Sequence, residues 1–190
     1  PCVLTNVPDN KETEIVSGIC ADIGSKIRRE GDTLKIHTSE IKSSRVKEFS
    51  RKNRIPILAL GPLLTRAKEA QVPLVGGDKI GHRPVDFHIG ALEKLGAQIE
   101  ITDTAYIASA PQGLRGINIV LPYPSVGATQ NIILSSVLAE GKTVISNAAV
   151  EPEIVDLVRM LQDMGSLIAI FPNRAINIEG VKKLRGVMHR

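Results

Sequence analysis

TVISNAAVEPEIVDLVRMLQDMGSLIAIFPNRAINI, residues 143–178, is the stretch on which the fold turns. It opens on a short β-branched strand, Thr143–Ser146, and crosses a polar loop. Ile154, Val158 and Leu161 then fall at steps of four and three. That spacing lays one apolar stripe along a helix from Pro152 to Met164. Pro152 suits a first helical turn, where no intrahelical N–H is needed, and Gly165 just past the stripe suits a helix end at positive φ. Two short alternating strands complete the stretch, Leu167–Phe171 and Arg174–Ile178.

The same order occurs twice upstream. One copy has a strand at Val72–Val75, a helix from Pro84 to Leu95 striped by Val85, Ile89 and Leu92, Gly96, and strands at Gln98–Ile101 and Ala105–Ala108. The other has Val3–Val7, a helix over Glu12–Ile23 striped by Ile15, Ile19 and Ile23, Gly24, and strands near Lys26–Arg29 and Thr33–His37. The closing glycines recur about 70 residues apart, beyond the roughly 20–50 of short-repeat solenoids. Two more helices, about Pro56–Ala67 and Val126–Ala139 with Gly141 after it, are apolar on most faces, as buried helices are. The pattern predicts an α/β (α+β) fold, three repeats with helices inside and sheets around them. No linker or low-complexity stretch divides residues 1–190, so one domain is expected.

Composition narrows the function. Apolar residues make up 43% of 190 and aromatics only 3%, so the core is aliphatic. A net charge of +4, with basic residues such as Lys26, Arg28 and Arg29 interspersed with acids, suits small anions and gives no basic face for nucleic acid. No apolar run reaches the length of a membrane span. No signal peptide precedes the first strand, so the cytoplasm is the expected compartment. Cys2 and Cys20 do not form a disulfide framework, and Cys20 on its helical stripe reads as a small core residue. His82 and His88 have no Cys or carboxylate partners at metal-binding spacing, and no zinc, phosphate-lysine or nucleophile-elbow motif is present. No metal or cofactor is therefore expected.

Two segments carry candidate chemistry. In VGGDKIGHRPVDFH, residues 75–88, Gly76, Gly77 and Gly81 let the backbone approach a ligand. Arg83 offers a planar, permanent charge for phosphate or carboxylate, and Asp86 an acceptor for a base edge or sugar. A plain glycine-rich turn explains the same residues equally well. In LPYPSVGATQN, residues 121–131, Ser125 is a good N-cap. The N–H groups of Val126 and Gly127 would then head a buried helix, where free donors and the helix dipole favour an anion. Simple capping is the competing reading. Arg54, just before an apolar helix, faces either a cleft or solvent beside Arg51 and Lys52. Glu151 and Glu153 flank Pro152, where the dipole favours acids.

These segments, with LALGPLL (58–64), GGDKIGHRPVDFHI (76–89), PSVGAT (124–129), LAEGKTVISNAAVEPEIVDL (138–157) and INIEGVKKL (176–184), resemble the UDP-N-acetylglucosamine enolpyruvyl transferases over essentially the whole chain. The RPVD-x-H and SVGAT runs favour that family over its shikimate-pathway relative. The resemblance implies half of a two-domain, inside-out α/β barrel with three βαβαββ units per domain. It implies transfer of the enolpyruvyl group of phosphoenolpyruvate to the 3-hydroxyl of UDP-N-acetylglucosamine, with release of phosphate, as the first committed step of peptidoglycan precursor synthesis. Carried over by position, Arg83, Pro84, Val85, Asp86 and Phe87 would hold the uridine, and Ser125, Val126 and Gly127 the diphosphate. Arg83 and Arg54 would also bind the charged groups of phosphoenolpyruvate, and Glu151 would lie near the nucleotide.

Two departures stand out. Asp78 occupies the active-site loop position where many members carry the Cys that reacts with the epoxide fosfomycin. It is the candidate catalytic acid, and its substitution implies insensitivity to the drug. The family's Lys-Asn pair would precede Pro1, and its general-base Asp belongs to a second barrel domain. The expectation is therefore a domain incomplete at its N-terminus, inactive alone, with that second domain as its partner. A shikimate-type transferase domain and a non-catalytic nucleotide-sugar-binding protein are the alternatives.

Overall fold

The computed structural model describes residues 1–47, 53–76 and 85–190. Its elements run β1 (Cys2–Leu4), α1 (Lys11–Asp22), β2 (Lys26–Glu30), β3 (Thr33–His37), a 3-10 turn (Ile55–Ala59), α2 (Leu60–Ala67), β4 (Glu69–Pro73), α3 (Asp86–Lys94), β5 (Gln98–Ile101), β6 (Ala105–Ser109), β7 (Asn118–Val120), α4 (Val126–Ser136), β8 (Lys142–Ser146), α5 (Pro152–Asp163), β9 (Leu167–Phe171), β10 (Ala175–Glu179) and β11 (Met188–His189). The mixed α/β fold read from the repeats is present. Gly24, Gly96 and Gly165 close α1, α3 and α5 at φ of 99°, 104° and 98°, a conformation that a Cβ opposes.

The strands form three sheets, ordered β11-β1-β3-β2, β4-β6-β5 and β7-β8-β10-β9. In each, the last strand of a repeat (β3, β6 or β10) lies antiparallel between the two that precede it. In each, a further segment runs parallel along the outer side of β1, β4 or β8. It is β11 beside β1, β7 beside β8, and a lone bridge from Arg45 to Gln71 in β4.

Several boundaries differ from the sequence expectations. The second copy's strand lies at Glu69–Pro73, upstream of Val72–Val75. The first strand stops at Leu4, and Asn6 then turns the chain at φ 59°. The helix expected over Pro56–Ala67 begins as the 3-10 turn and becomes α-helical only at Leu60. α4 ends at Ser136 rather than Ala139. α3 spans Asp86–Lys94 instead of reaching Leu95, and Pro84, its expected start, lies outside the described residues. β7 and β11 were not foreseen. At three and two residues they are too short to show alternation.

The aliphatic core expected from composition is formed by Ile57, Leu60, Leu63 and Leu64 around α2, Leu92 and Leu95 in and after α3, Ile132 and Ile133 in α4, and Ile145, Ile154 and Ile176 from the last repeat, all 1% exposed or less. At about 25 cal/mol per Å² of apolar area, each such side chain contributes roughly 1.5–3 kcal/mol. α4 is the innermost helix and packs against α2, α3 and α5. Gly61 makes the α2–α4 approach possible. A Cβ there would collide with the Ser135 side chain and stand 3.0 Å from Asn131 Oδ1. Cys2 and Cys20 are free and half-buried, and burial pushes the Cys20 thiol pKa up. No helix among the described residues is long and apolar enough to cross a membrane.

Candidate functional site

The first turns of α3 and α4 stand side by side, and His88 of α3 joins them. Ser125 is the N-cap of α4, in extended backbone, and its Oγ accepts from Ala128 N–H at 3.3 Å. That bond fixes the helix start and leaves the earlier amides, Val126 and Gly127, at the positive end of the dipole. Gly127 lies directly against the His88 ring, where an added Cβ would stand 3.2 Å from Cε1 and 3.3 Å from Nε2. Asp86, two residues before His88, opens α3, with Val85 as its N-cap. Asp86, Phe87 and Gly90 line a groove of about 140 Å³ with Val120, Leu121 and Pro122.

His88 is 5% exposed. Burial lowers its pKa to about 4, helped by the positive charge of Arg54 and opposed by Asp86. It is therefore neutral near pH 7. The same guanidinium acts on Tyr106, whose hydroxyl pKa is raised by burial against the pull of the Val75 N–H and Arg54. Arg54 is the partly exposed N-cap of the 3-10 turn, and its charge acts on both His88 and Tyr106. His88 belongs to α3 and Tyr106 to β6.

Glu151 is the N-cap of α5, but its side chain caps nothing. Its Oε2 is buried and has no hydrogen-bond partner among the described residues. The loop before it is tied to α4 by the Ala149 N–H, which donates to Thr129 Oγ1 at 3.0 Å. Glu151 therefore follows a segment anchored to the first turns of the helix that Ser125 caps. Glu153 is exposed in the first turn of α5.

Val85, Asp86 and Phe87 thus stand at the start of α3 and Ser125, Val126 and Gly127 at the start of α4, the two starts meeting where Gly127 lies against His88, on which the charge of Arg54 acts. Asp78, Arg83 and Pro84 lie outside the described residues. Sequence reasoning considered His88 only as a metal ligand and passed over Asn131. The signal for Asn131 was present: an amide directly before the apolar run Ile132–Leu134 of a helix expected to be buried, where a polar group requires partners. No cluster of three or more metal-ligating side chains occurs among the described residues.

A curated relative from Protochlamydia amoebophila, named UDP-N-acetylglucosamine 1-carboxyvinyltransferase, is 47% identical over 99% of the chain. One of the same name from Chlamydia abortus is 48% identical over 99%. The chain spans 42% and 43% of their respective lengths. Among solved structures, the enolpyruvyl transferase NikO from Streptomyces tendae superimposes with a TM-score of 0.76 at 20% identity, over 98% of this chain and 45% of that one. An EPSP synthase from Acinetobacter baumannii gives 0.75 at 21% identity, over 98% and 43%. These two likenesses establish a shared fold. The family model of EPSP synthase (3-phosphoshikimate 1-carboxyvinyltransferase) matches residues 1–190, and the chain belongs to that family.

Proposed function

We propose that the chain is the nucleotide-sugar-binding domain of a transferase that moves the enolpyruvyl group of phosphoenolpyruvate to the 3-hydroxyl of UDP-N-acetylglucosamine, releasing phosphate. The observation that carries this reading is the pairing of the α3 and α4 starts across His88 and Gly127. The amides of Val126 and Gly127 suit a diphosphate, with the Ser125 cap holding the turn. Asp86 suits the edge of a uracil, and the groove beside Phe87 suits its apolar faces. Val85, Pro84 and Arg83 are assigned the remaining uridine contacts. Arg54 and Arg83 together match the two anionic groups of phosphoenolpyruvate. Glu151 brings a buried carboxylate oxygen to the nucleotide side of the site.

In this reading the three sheets and their buried helices form one half of an inside-out barrel, and a second domain closes over the site with the remaining reaction groups. The work is cytoplasmic, where both substrates are made. Relatives of 41–48% identity that share the UDP-sugar name favour it over the shikimate-type alternative. Asp78 is the loop acid. To give up a proton near neutrality its pKa must rise from about 3.9, through burial or an adjacent anionic substrate.

Titration calorimetry of the 190-residue chain with UDP-N-acetylglucosamine and with shikimate 3-phosphate tests the proposal. Heat with the first and none with the second is expected, and the reverse pattern overturns it. Incubated with phosphoenolpyruvate and the sugar nucleotide, the chain alone is expected to release no phosphate.

A further inference from the structure

Asn131 sits in α4 and is 1% exposed. Its Nδ2 makes two contacts, 3.2 Å to the Ile57 carbonyl and 3.2 Å to His88 Nδ1. A carbonyl oxygen can only accept, so the atom facing Ile57 is the amide nitrogen. One of its two hydrogens satisfies Ile57. The other points to His88 Nδ1, which must therefore present its lone pair. Turning the amide over would break the Ile57 bond. In the present orientation Oδ1 is the buried atom left without a hydrogen-bond partner among the described residues, so the two contacts of Nδ2 alone fix the amide.

We propose that Asn131 is a positioning residue that holds His88 as the neutral Nε2–H tautomer, with that N–H facing the first turn of α4. The Cε1–Nε2 edge of the ring lies against Gly127, where an added Cβ would stand 3.2 Å from Cε1 and 3.3 Å from Nε2, at the helix start where the anionic part of a ligand would rest. An Nε2 lone pair there would repel an anion, whereas an Nε2–H adds a donor to those of the backbone. A neutral donor also avoids placing a second positive charge beside Arg54 in a buried wall. The ligand part of this inference rests on the proposed function. The tautomer itself does not.

Long-range ¹⁵N–¹H spectra of the chain labelled at its four histidines, with His88 assigned by His88→Gln, report the tautomer directly. In the wild type His88 Nε2 is expected to carry the proton and Nδ1 to be bare; a proton on Nδ1 overturns the proposal. Asn131→Asp, which offers only acceptors, is expected to draw the proton to Nδ1, and Asn131→Leu, which keeps the shape, to abolish the preference. An unchanged tautomer in both folded variants counts against Asn131. If neither folds, the wild-type spectrum decides. UDP-N-acetylglucosamine is expected to bind Asn131→Leu about tenfold more weakly or worse. Equal binding by a variant whose tautomer has changed removes the ligand role. Failure of the wild type to bind the nucleotide sugar refutes the proposed function and leaves the tautomer result standing.

Discussion

A histidine in free chain takes up its proton near pH 6.5, whereas His88 in the fold does so only at about 4. Between those values the unfolded chain binds more protons, so acid favours unfolding. The stability that His88 gains by staying neutral is complete above pH 6.5 and is lost progressively as pH falls towards 4. The full difference is on the order of 3 kcal/mol. Urea unfolding at pH 7 and pH 5 is expected to show a larger loss in the wild type than in His88→Gln. Equal losses would mean that the imidazole is not the group being charged. Asp78 supports a second expectation at this scale. A carboxylate opens an epoxide far less readily than a thiolate. Mass spectrometry after fosfomycin treatment is expected to find no adduct on Asp78, and an adduct on Asp78→Cys once the complete active site is present. An adduct on Asp78 itself would refute the insensitivity.

Among the elements, the α2–α4 crossing is the least tolerant. Gly61 meets Ser135 and Asn131 with no space for a methyl group. Ser135 is held there by a 2.6 Å bond from its hydroxyl to the Asn131 carbonyl. Gly61→Ala is expected to separate the helices and cost about 1–3 kcal/mol, despite alanine's better helix propensity. A denaturant midpoint at or above the wild-type value would contradict this. The stripes of α1, α3 and α5 were legible because each element is amphipathic and ends on glycine at positive φ. β7 and β11 were not, because their pairing is supplied by partners elsewhere in the chain rather than by their own alternation. The site divided in the same way. The Ser125 cap is a local signal and was read correctly as a helix start. The His88–Asn131 pair joins residues 43 apart and has no local signature.

At the scale of the molecule, three sheets share a strand order, and the first of them joins residues 2–4 to residues 188–189. β11 lies parallel to β1, pairing Val3 with Met188 and Leu4 with His189. The Val3 N–H donates to Val187 O at 2.8 Å and the Thr5 N–H to His189 O at 2.9 Å. Residues 1 and 190 are thus separated by only a few residues of strand, about 15 Å at 3.3 Å per residue. In a 190-residue fragment, a covalent bridge of about six flexible residues from residue 190 to residue 1 would close a ring without disturbing the sheet. New ends opened at the exposed turn around Pro111 and Gln112 should then be tolerated, and such a circular permutant is expected to keep the circular-dichroism spectrum and cooperative melting of the parent.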